Sequence, residues 1–499
     1  MPIFTIGSSV FDTDDTYLTG ISDTEIITLN GSTYLLVASR AESAVSSYLL
    51  SADGVAVLQD TIRYAYLSGT YGVSDLTYTV VGGVGMILPA SGYDTEFNSF
   101  EIDDFGQIAG PNPLSGSSGL LGNLSMSYAL TYGDYTFTYT SAQGTGGIQA
   151  YLFNRNYDFV ERGNYVDTED TYLGDVADMT SVYVKNNMLL LSISAHEGAL
   201  SCYRVNYGGQ LVLRDTVLPG DASGFSLPQA LETVSVNGKT FVIMASAGSN
   251  SLTVYRLWHH GGLDEVDHLL DTTATRFQDA SVLESFTVGE RSFILAAGSD
   301  DGMTLLEILP GGHLFVHETL VDDFNTTLNN ISSIEVTVID GEIIAIVSSE
   351  TEHGFTQITL DMSGFGVVIY GTSAADTLTG DADNNILYGR LNDDTLNGGA
   401  GDDILVDGFG SDVLTGGTGA DVFVFVNDIP SETITDFELD YDRIDLSGFS
   451  TVSHFSDLYF TLESGTLVVH VGNDQDIIYV HAMTGELSLG DLTADHFIF

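Results

Sequence analysis

Short apolar strands separated by glycine and asparagine turns make up residues 1–369. One element, a small polar turn followed by an apolar run such as NGKTFVIMAS (237–246), recurs seven times. The apolar runs begin at Tyr34, Met86, Tyr135, Met188, Phe241, Phe293 and Ile343, about fifty residues apart. Alternating apolar and polar residues occupy the intervals, and helical periodicity is scarce. This pattern predicts an all-β fold.

Seven such units, each with about four short strands, predict a seven-bladed β-propeller over residues 1–369. A four-stranded blade cannot bury both of its faces alone, so the blades are expected to pack around an axis and close the ring. The segment FTIGSSVFDT (4–13) could supply the closing strand of the last blade. In strand rhythm the units are similar to seven-bladed lactonase-like propellers. A β-solenoid or a string of sandwiches is the alternative.

A nine-residue repeat follows the long one. Six units fit without a gap: GTSAADTLT (371–379), GDADNNILY (380–388), GRLNDDTLN (389–397), GGAGDDILV (398–406), DGFGSDVLT (407–415) and GGTGADVFV (416–424). Position six holds an aspartate in every unit but the second, which has Asn385. Position eight is always apolar, namely Leu378, Leu387, Leu396, Leu405, Leu414 and Phe423. This regularity argues against the alternative, an acidic glycine-rich linker.

These units resemble the repeats-in-toxin (RTX) family of hemolysin-type calcium-binding repeats, whose unit is GGxGxDxUx with U a large apolar residue. Units four and six match fully, whereas unit five has Asp407 at the first glycine. The resemblance implies a parallel β-roll over residues 370–425 that binds Ca²⁺ through turn carbonyls and carboxylates. The implied metal-site residues are Asp376, Asn385, Asp394, Gly398, Gly399, Gly401, Asp403, Gly408, Gly410, Asp412, Gly416, Gly417, Gly419 and Asp421.

In such a roll two units make one turn, so turns on the same side are eighteen residues apart. We therefore expect Asp394 and Asp412 to share one ion, and Asp403 and Asp421 to share another. Asp376 with Asp394, and Asn385 with Asp403, are further candidate pairs. Without a cation the stacked carboxylates repel one another, so ion binding is expected to drive folding of the roll.

Residues 426–499 resemble the β-rich cap that follows such rolls in serralysin-type secreted proteases, on the segments ETITDF (432–437) and YDRIDLS (441–447). Glu432, Asp436, Asp442 and Asp445 in these segments are either further Ca²⁺ ligands or surface charges. The ending DHFIF (495–499) resembles a C-terminal signal read by type I secretion machinery. The resemblance implies export to the exterior or cell surface of a Gram-negative bacterium.

The net charge limits the kinds of partner that the protein is expected to bind. With 69 Asp and Glu against 13 Lys and Arg, the formal net charge is −56, which disfavours nucleic acid and anionic membranes. Attraction of divalent cations and solubility in a salty medium are both consistent with it. Cys202 is the sole cysteine, no stretch of 18 apolar residues predicts a membrane span, and the start lacks signal-peptide features.

Catalytic motifs are scarce. AHEGAL (195–200) lacks the second histidine of HExxH, which excludes a serralysin-like zinc protease, and the chain has no GxSxG motif. His259 with His260, and His313 with His317, are metal or substrate candidates with a structural alternative. Candidate acids near the propeller axis are Asp175, Asp178, Glu232 and Asp279, with solvated loop charges as the alternative. The sequence therefore leaves two hypotheses: a propeller that binds an extracellular protein, glycan or surface, and a secreted hydrolase or lactonase-like enzyme with an axial site.

Overall fold

The computed structural model describes the 499-residue chain except residues 1, 14–15, 64–71, 92–96, 115–123, 143–145, 155, 157, 169–170, 221–223, 324, 429–430, 450, 465 and 473–475. The chain divides into two compact units. The first comprises Met1–Val288 and Ser292–Asp361, and the second comprises Gly289–Arg291 and Met362–Phe499.

The first unit is a seven-bladed β-propeller, as the long repeat predicts. Its seven sheets have four antiparallel strands each, and every blade but the last uses four consecutive strands. The strands are β1 (Phe4–Phe11), β2 (Ile21–Leu29), β3 (Ser32–Ser39), β4 (Ala44–Leu50), β5 (Ala56–Arg63), β6 (Val73–Val81), β7 (Val84–Ser91), β8 (Asn98–Ile102), β9 (Ile108–Pro113), β10 (Leu124–Tyr132), β11 (Tyr135–Ala142), β12 (Ile148–Phe153), β13 (Phe159–Tyr165), β14 (Val176–Val184), β15 (Asn187–Ser194), β16 (Ala199–Val205), β17 (Leu211–Val217), β18 (Pro228–Val236), β19 (Lys239–Ser246), β20 (Ser251–Leu257), β21 (Leu263–Leu270), β22 (Val282–Val288), β23 (Arg291–Ala297), β24 (Gly302–Ile308), β25 (Leu314–Val321), β26 (Ile331–Ile339), β27 (Glu342–Ser349) and β28 (Gly354–Leu360).

The seventh blade closes the ring with the N-terminal strand. Its order is β1-β28-β27-β26, and β1 pairs antiparallel with β28, from Phe4 opposite Leu360 to Phe11 opposite Gly354. The prediction that residues 4–13 close the last blade is therefore confirmed. Joining the first and last strands of the propeller in one sheet closes the ring.

The first strand of each blade lies innermost, because β2, β6, β10, β14, β18, β22 and β26 neighbour one another around the axis. The apolar runs detected in the sequence form the second strands, which are buried along most of their length. Apolar side chains from adjacent blades pack together in shared clusters, such as that containing Phe241, Ile243, Phe277 and Ile294. Packing between blades therefore builds the core of this unit.

The second unit begins as a parallel β-roll of about four turns. Its strands are β29 (Phe365–Tyr370), β30 (Thr377–Thr379), β31 (Asn384–Tyr388), β32 (Thr395–Ala400), β33 (Ile404–Val406), β34 (Val413–Thr418), β35 (Val422–Val424), β36 (Ser431–Phe437), β37 (Arg443–Asp445), β38 (Tyr459–Glu463), β39 (Thr466–Val471), β40 (Asp476–Ala482) and β41 (Phe497–Ile498). They form two sheets, β29-β31-β33-β35-β37-β41 and β30-β32-β34-β36-β40-β39-β38.

Strands stack in the register that the nine-residue repeat predicts. Leu378 pairs with Leu396 and Leu396 with Leu414, so each step along a sheet is two units. All six position-eight side chains are buried in a core that continues into the cap through residues such as Ile434 and Ile444. The apolar residue of each unit therefore holds the roll together from within, as the repeat implied.

The described residues contain no α-helix; three short 3₁₀ helices span Ala247–Ser249, Phe455–Asp457 and Ala494–His496. Accordingly, in the described part of the chain no helix is long and apolar enough to span a membrane.

Candidate metal centre

The position-six side chains line up in two columns along the roll. In the first column the backbone N–H of Asp376 donates to Asp394 Oδ1 at 2.7 Å, and that of Asp394 donates to Asp412 Oδ1 at 2.6 Å. In the second, the N–H of Asn385 donates to Asp403 Oδ1 at 2.7 Å, and that of Asp403 donates to Asp421 Oδ1 at 2.9 Å. The structure thus brings together every pair that the eighteen-residue spacing predicted.

Cap residues extend both columns beyond the last repeat. The N–H of Asp412 donates to Glu432 Oε2 at 2.6 Å, and that of Asp421 donates to Asp442 Oδ1 at 3.0 Å. Glu432, Asp442 and Asp445 are buried, which excludes the surface-charge alternative for these three. Asp436, half-buried, accepts from the N–H groups of Gly416 and Gly417, both at 2.9 Å.

The second oxygen of most column carboxylates has no partner. The unpartnered, buried oxygens are Asn385 Oδ1, Asp394 Oδ2, Asp403 Oδ2, Asp412 Oδ2, Asp421 Oδ2 and Glu432 Oε1. Buried polar atoms are nearly always satisfied by hydrogen bonds or ions. A hard divalent cation, which takes six to eight oxygen ligands, would satisfy these atoms. The donor set therefore fits Ca²⁺.

Burial also makes the ionised carboxylates unfavourable in the absence of a cation. It raises the pKa of Asp403 and Asp412 to about 7, that of Asp421 to about 8 and that of Glu432 to about 9, against opposing backbone hydrogen bonds. A bound divalent cation would supply the missing positive charge.

Glycines allow the turns to stack closely. Gly399 has φ of +117°, and a Cβ there would strike the Asp381 carbonyl of the neighbouring turn. The other glycines at positions two and four also have positive φ, namely Gly401, Gly408, Gly410, Gly417 and Gly419. Gly398 and Gly416, at position one, are required for a different reason: a Cβ would strike Oδ2 of Asp403 and of Asp421, respectively. Position one thus leaves open the space beside the unpartnered oxygen.

Asp376 differs from the rest of its column. Its Oδ2 accepts from the backbone N–H and the hydroxyl of Thr372, at 2.6 and 2.8 Å. Those two hydrogen bonds lower the pKa of this half-buried carboxylate. The first unit of the roll therefore satisfies its aspartate locally.

Seven carboxylates meet at the axis of the propeller. They come from six of the seven innermost strands and are Asp23, Glu25, Asp75, Asp178, Glu232, Glu284 and Glu335; we call them the axial ring. The sequence pointed to Asp178 and Glu232 among these. Asp175 and Asp279 precede innermost strands instead, and Asp279 is exposed. The other five were missed because the sequence does not reveal which strand is innermost.

The axial ring ties neighbouring blades together. Asp23 Oδ2 accepts from the backbone N–H of Leu76 at 2.7 Å, one blade on. The same contact recurs from Asp75 to Ser127 (2.8 Å), from Asp178 to Leu231 (2.7 Å) and from Glu284 to Val336 (3.0 Å). Burial raises the pKa of Glu25, Asp178 and Glu232 to about 8 and that of Asp75 and Glu284 to about 7.

The histidine candidates are dispersed. His259 and His260 are exposed in the turn between β20 and β21, where His260 Nδ1 accepts from the N–H of Gly262 at 3.2 Å. His317 Nε2 lies 2.7 Å from Glu307 Oε2 on the neighbouring strand of the same blade. His313 Nδ1 lies 3.7 Å from Asp267 Oδ1. None of the four belongs to the group of metal-ligating side chains that the described residues bring together.

Comparison with known proteins agrees with the roll. Residues 370–405 and 398–424 match the model of the RTX calcium-binding nonapeptide repeat, in four copies. No curated protein matches the chain. Among solved structures the chain is similar to one described as the structure of the Dos1 propeller, with 11% identity and a TM-score of 0.46, over 68% of this chain and 78% of that one.

Proposed function

We propose that this protein is a secreted calcium-binding RTX protein whose propeller is an extracellular binding, adhesion or surface-assembly module. The observation that carries the calcium assignment is the set of unpartnered, buried oxygens in the two columns. The match of residues 370–424 to a calcium-binding repeat supports the same assignment.

Calcium would act as a folding switch for the roll. Extracellular modules bind Ca²⁺ with Kd of about 10⁻⁴–10⁻³ M, so sites of this kind stay empty in a cytoplasm that holds far less free Ca²⁺. An unfolded acidic roll would then pass through type I secretion machinery and fold on reaching Ca²⁺ outside, because binding energy becomes folding energy. The signal-like ending DHFIF is the sequence feature that supports this route.

An aromatic cluster on the propeller supports a binding role. Turns between first and second strands and between third and fourth strands open on the same face. On that face Tyr132 and Tyr207 stack with ring centroids 5.1 Å apart, and Tyr183 lies close to Tyr132. Tyr207 and Tyr183 are 82% and 56% exposed. Exposed tyrosines give large contact areas to proteins and stack on sugar rings, so this aromatic cluster is the proposed contact surface.

Retention on surfaces tests the binding role. In Ca²⁺ the full chain should be retained by cells or extracellular matrix from culture, and replacing both Tyr183 and Tyr207 by alanine should reduce retention roughly tenfold. Tyr441→Ala, which removes a tyrosine of similar exposure from the second unit, is the matched control. Equal retention of the wild type and the double variant would contradict the proposed contact surface.

A hydrolase or lactonase-like enzyme is the second candidate, and the axial ring is the observation that favours it. Convergent carboxylates with raised pKa are typical of catalytic sites. Against this, the ring oxygens already accept hydrogen bonds from the next blade. A screen on lactones and esters discriminates: an axial enzyme would lose turnover in Asp178→Asn but keep it in Asp279→Asn. Absence of turnover in the wild type would contradict the hydrolase hypothesis and leave the axial ring with only its structural role of connecting neighbouring blades.

A further inference from the structure

Asp407 departs from the repeat consensus at position one of unit five. It replaces the first glycine of unit five, and the fold brings its carboxylate beside Asp412 and Glu432. One carboxylate oxygen of each lies within 4.8 Å of the other two. Within the described part of the chain, no other set of three or more His, Cys, Asp or Glu side chains meets this distance.

Each of the three carboxylates uses one oxygen on the backbone and leaves the other free. Asp407 Oδ1 accepts from the N–H groups of Gly408 at 2.6 Å and Val426 at 3.0 Å. The column bonds already described occupy Asp412 Oδ1 and Glu432 Oε2. Asp407 Oδ2, Asp412 Oδ2 and Glu432 Oε1 have no partner, and the three residues are only 0%, 1% and 4% exposed. Three buried carboxylates, each with one unsatisfied oxygen, therefore lie close together.

The repeat itself explains how a third carboxylate fits. In units four and six, glycine at position one leaves open the space beside the position-six Oδ2. In unit five position one carries the Asp407 side chain, and one of its carboxylate oxygens lies within 4.8 Å of an oxygen of Asp412. The corresponding point of the other column pairs Asp421 with Asp442 and has Gly416 at position one, so no position-one residue adds a carboxylate there. All of the donors are oxygen, which selects a hard cation over soft metals.

We propose that Asp407, Asp412 and Glu432 form a three-carboxylate Ca²⁺ site that is the tightest in the roll and fills first. The proposal rests on the proposed calcium binding of the repeats and assigns to Asp407 a role that the repeat pattern does not contain. Its physical basis is charge count: each additional carboxylate strengthens attraction for Ca²⁺ in a site shielded from water.

Equilibrium dialysis of the chelator-stripped full chain against buffered Ca²⁺ tests the proposal. Asp407→Asn keeps an oxygen that can accept from Gly408 and Val426 but removes the charge. Asp407→Gly restores the repeat consensus. In both variants the free Ca²⁺ needed to bind the first ion should rise roughly tenfold or more, while the later binding steps remain.

Asp402→Asn is the matched control, because it removes one exposed carboxylate from a turn in the other column. This variant should bind its first ion at the same free Ca²⁺ concentration as the wild type. If Asp407→Asn and Asp407→Gly bound the first ion as tightly as the wild type, the three-carboxylate site would be wrong while calcium binding by the repeats stood. If the wild type bound no Ca²⁺, the proposed function itself would fail. Far-UV circular dichroism at saturating Ca²⁺ checks that each variant folds.

Discussion

At the residue scale, the position in the nine-residue unit decides what each side chain does. The repeat predicted the position-six column and the position-eight core because both recur at fixed spacing. It could not extend the columns to Glu432 and Asp442, because those residues follow Asp412 and Asp421 by 20 and 21 residues instead of eighteen. Nor could it assign a role to Asp407, since a departure from consensus gives no spacing to follow.

Gly398, at position one of unit four, should not tolerate a side chain, unlike position one of unit five, which carries Asp407. A Cβ at Gly398 would strike Asp403 Oδ2 and lie 2.6 Å from the Gly416 carbonyl oxygen. We expect Gly398→Ala to lower the free energy of unfolding of the Ca²⁺-loaded roll by roughly 1–3 kcal/mol, measured by urea unfolding with circular dichroism. Gly364→Ala is the control, because a Cβ there meets nothing within 4 Å. Equal stability of the two variants would show that the turns are not closely stacked.

At the element scale, the strands and their sevenfold recurrence were predictable, and so was closure by β1. The identity of the innermost strand was not. First and second strands flank the same turn, and a bulge shifts the register of several first strands, for example between Ile21 and Asp23 in β2. Because of that shift, simple alternation does not reveal that Asp23 or Asp75 points to the axis.

The axial ring predicts a pH dependence of propeller stability. Unfolded Asp and Glu have pKa values of about 4, whereas burial raises those of Glu25, Asp178 and Glu232 to about 8. Between these values the folded state binds more protons than the unfolded state, so the free energy of unfolding falls as pH rises. Each such proton contributes about 1.4 kcal/mol per pH unit.

Thermal unfolding in chelator, followed by Trp258 fluorescence, measures this effect, because Trp258 is the sole tryptophan and lies in the propeller. The midpoint should be higher near pH 5 than near pH 8. Surface charge contributes to the same trend, so the double variant Glu232→Gln with Glu284→Gln is the comparison. In this variant the unfolding midpoint should change less with pH than in the wild type. A midpoint that rises with pH, or an identical slope in the double variant, would contradict the assigned pKa values.

At the scale of the whole molecule, we expect the two units to respond differently to calcium. Each has its own hydrophobic core, and the unpartnered column oxygens belong to the second unit. A net charge of −56 destabilises every compact state through self-repulsion, and bound Ca²⁺ would offset this repulsion where carboxylates are densest. Composition was consistent with attraction of divalent cations and equally with solubility in a salty medium, whereas only the fold separates the roll columns from the axial ring.

Titration of Ca²⁺ into the chelator-stripped full chain tests the account most directly. Far-UV circular dichroism follows β-structure in the whole chain, and Trp258 fluorescence follows the propeller. We expect β-structure to increase with Ca²⁺ while Trp258 fluorescence stays constant, and the same concentration of Mg²⁺ to have little effect. A circular dichroism spectrum that does not respond to Ca²⁺ would contradict calcium-driven folding of the roll.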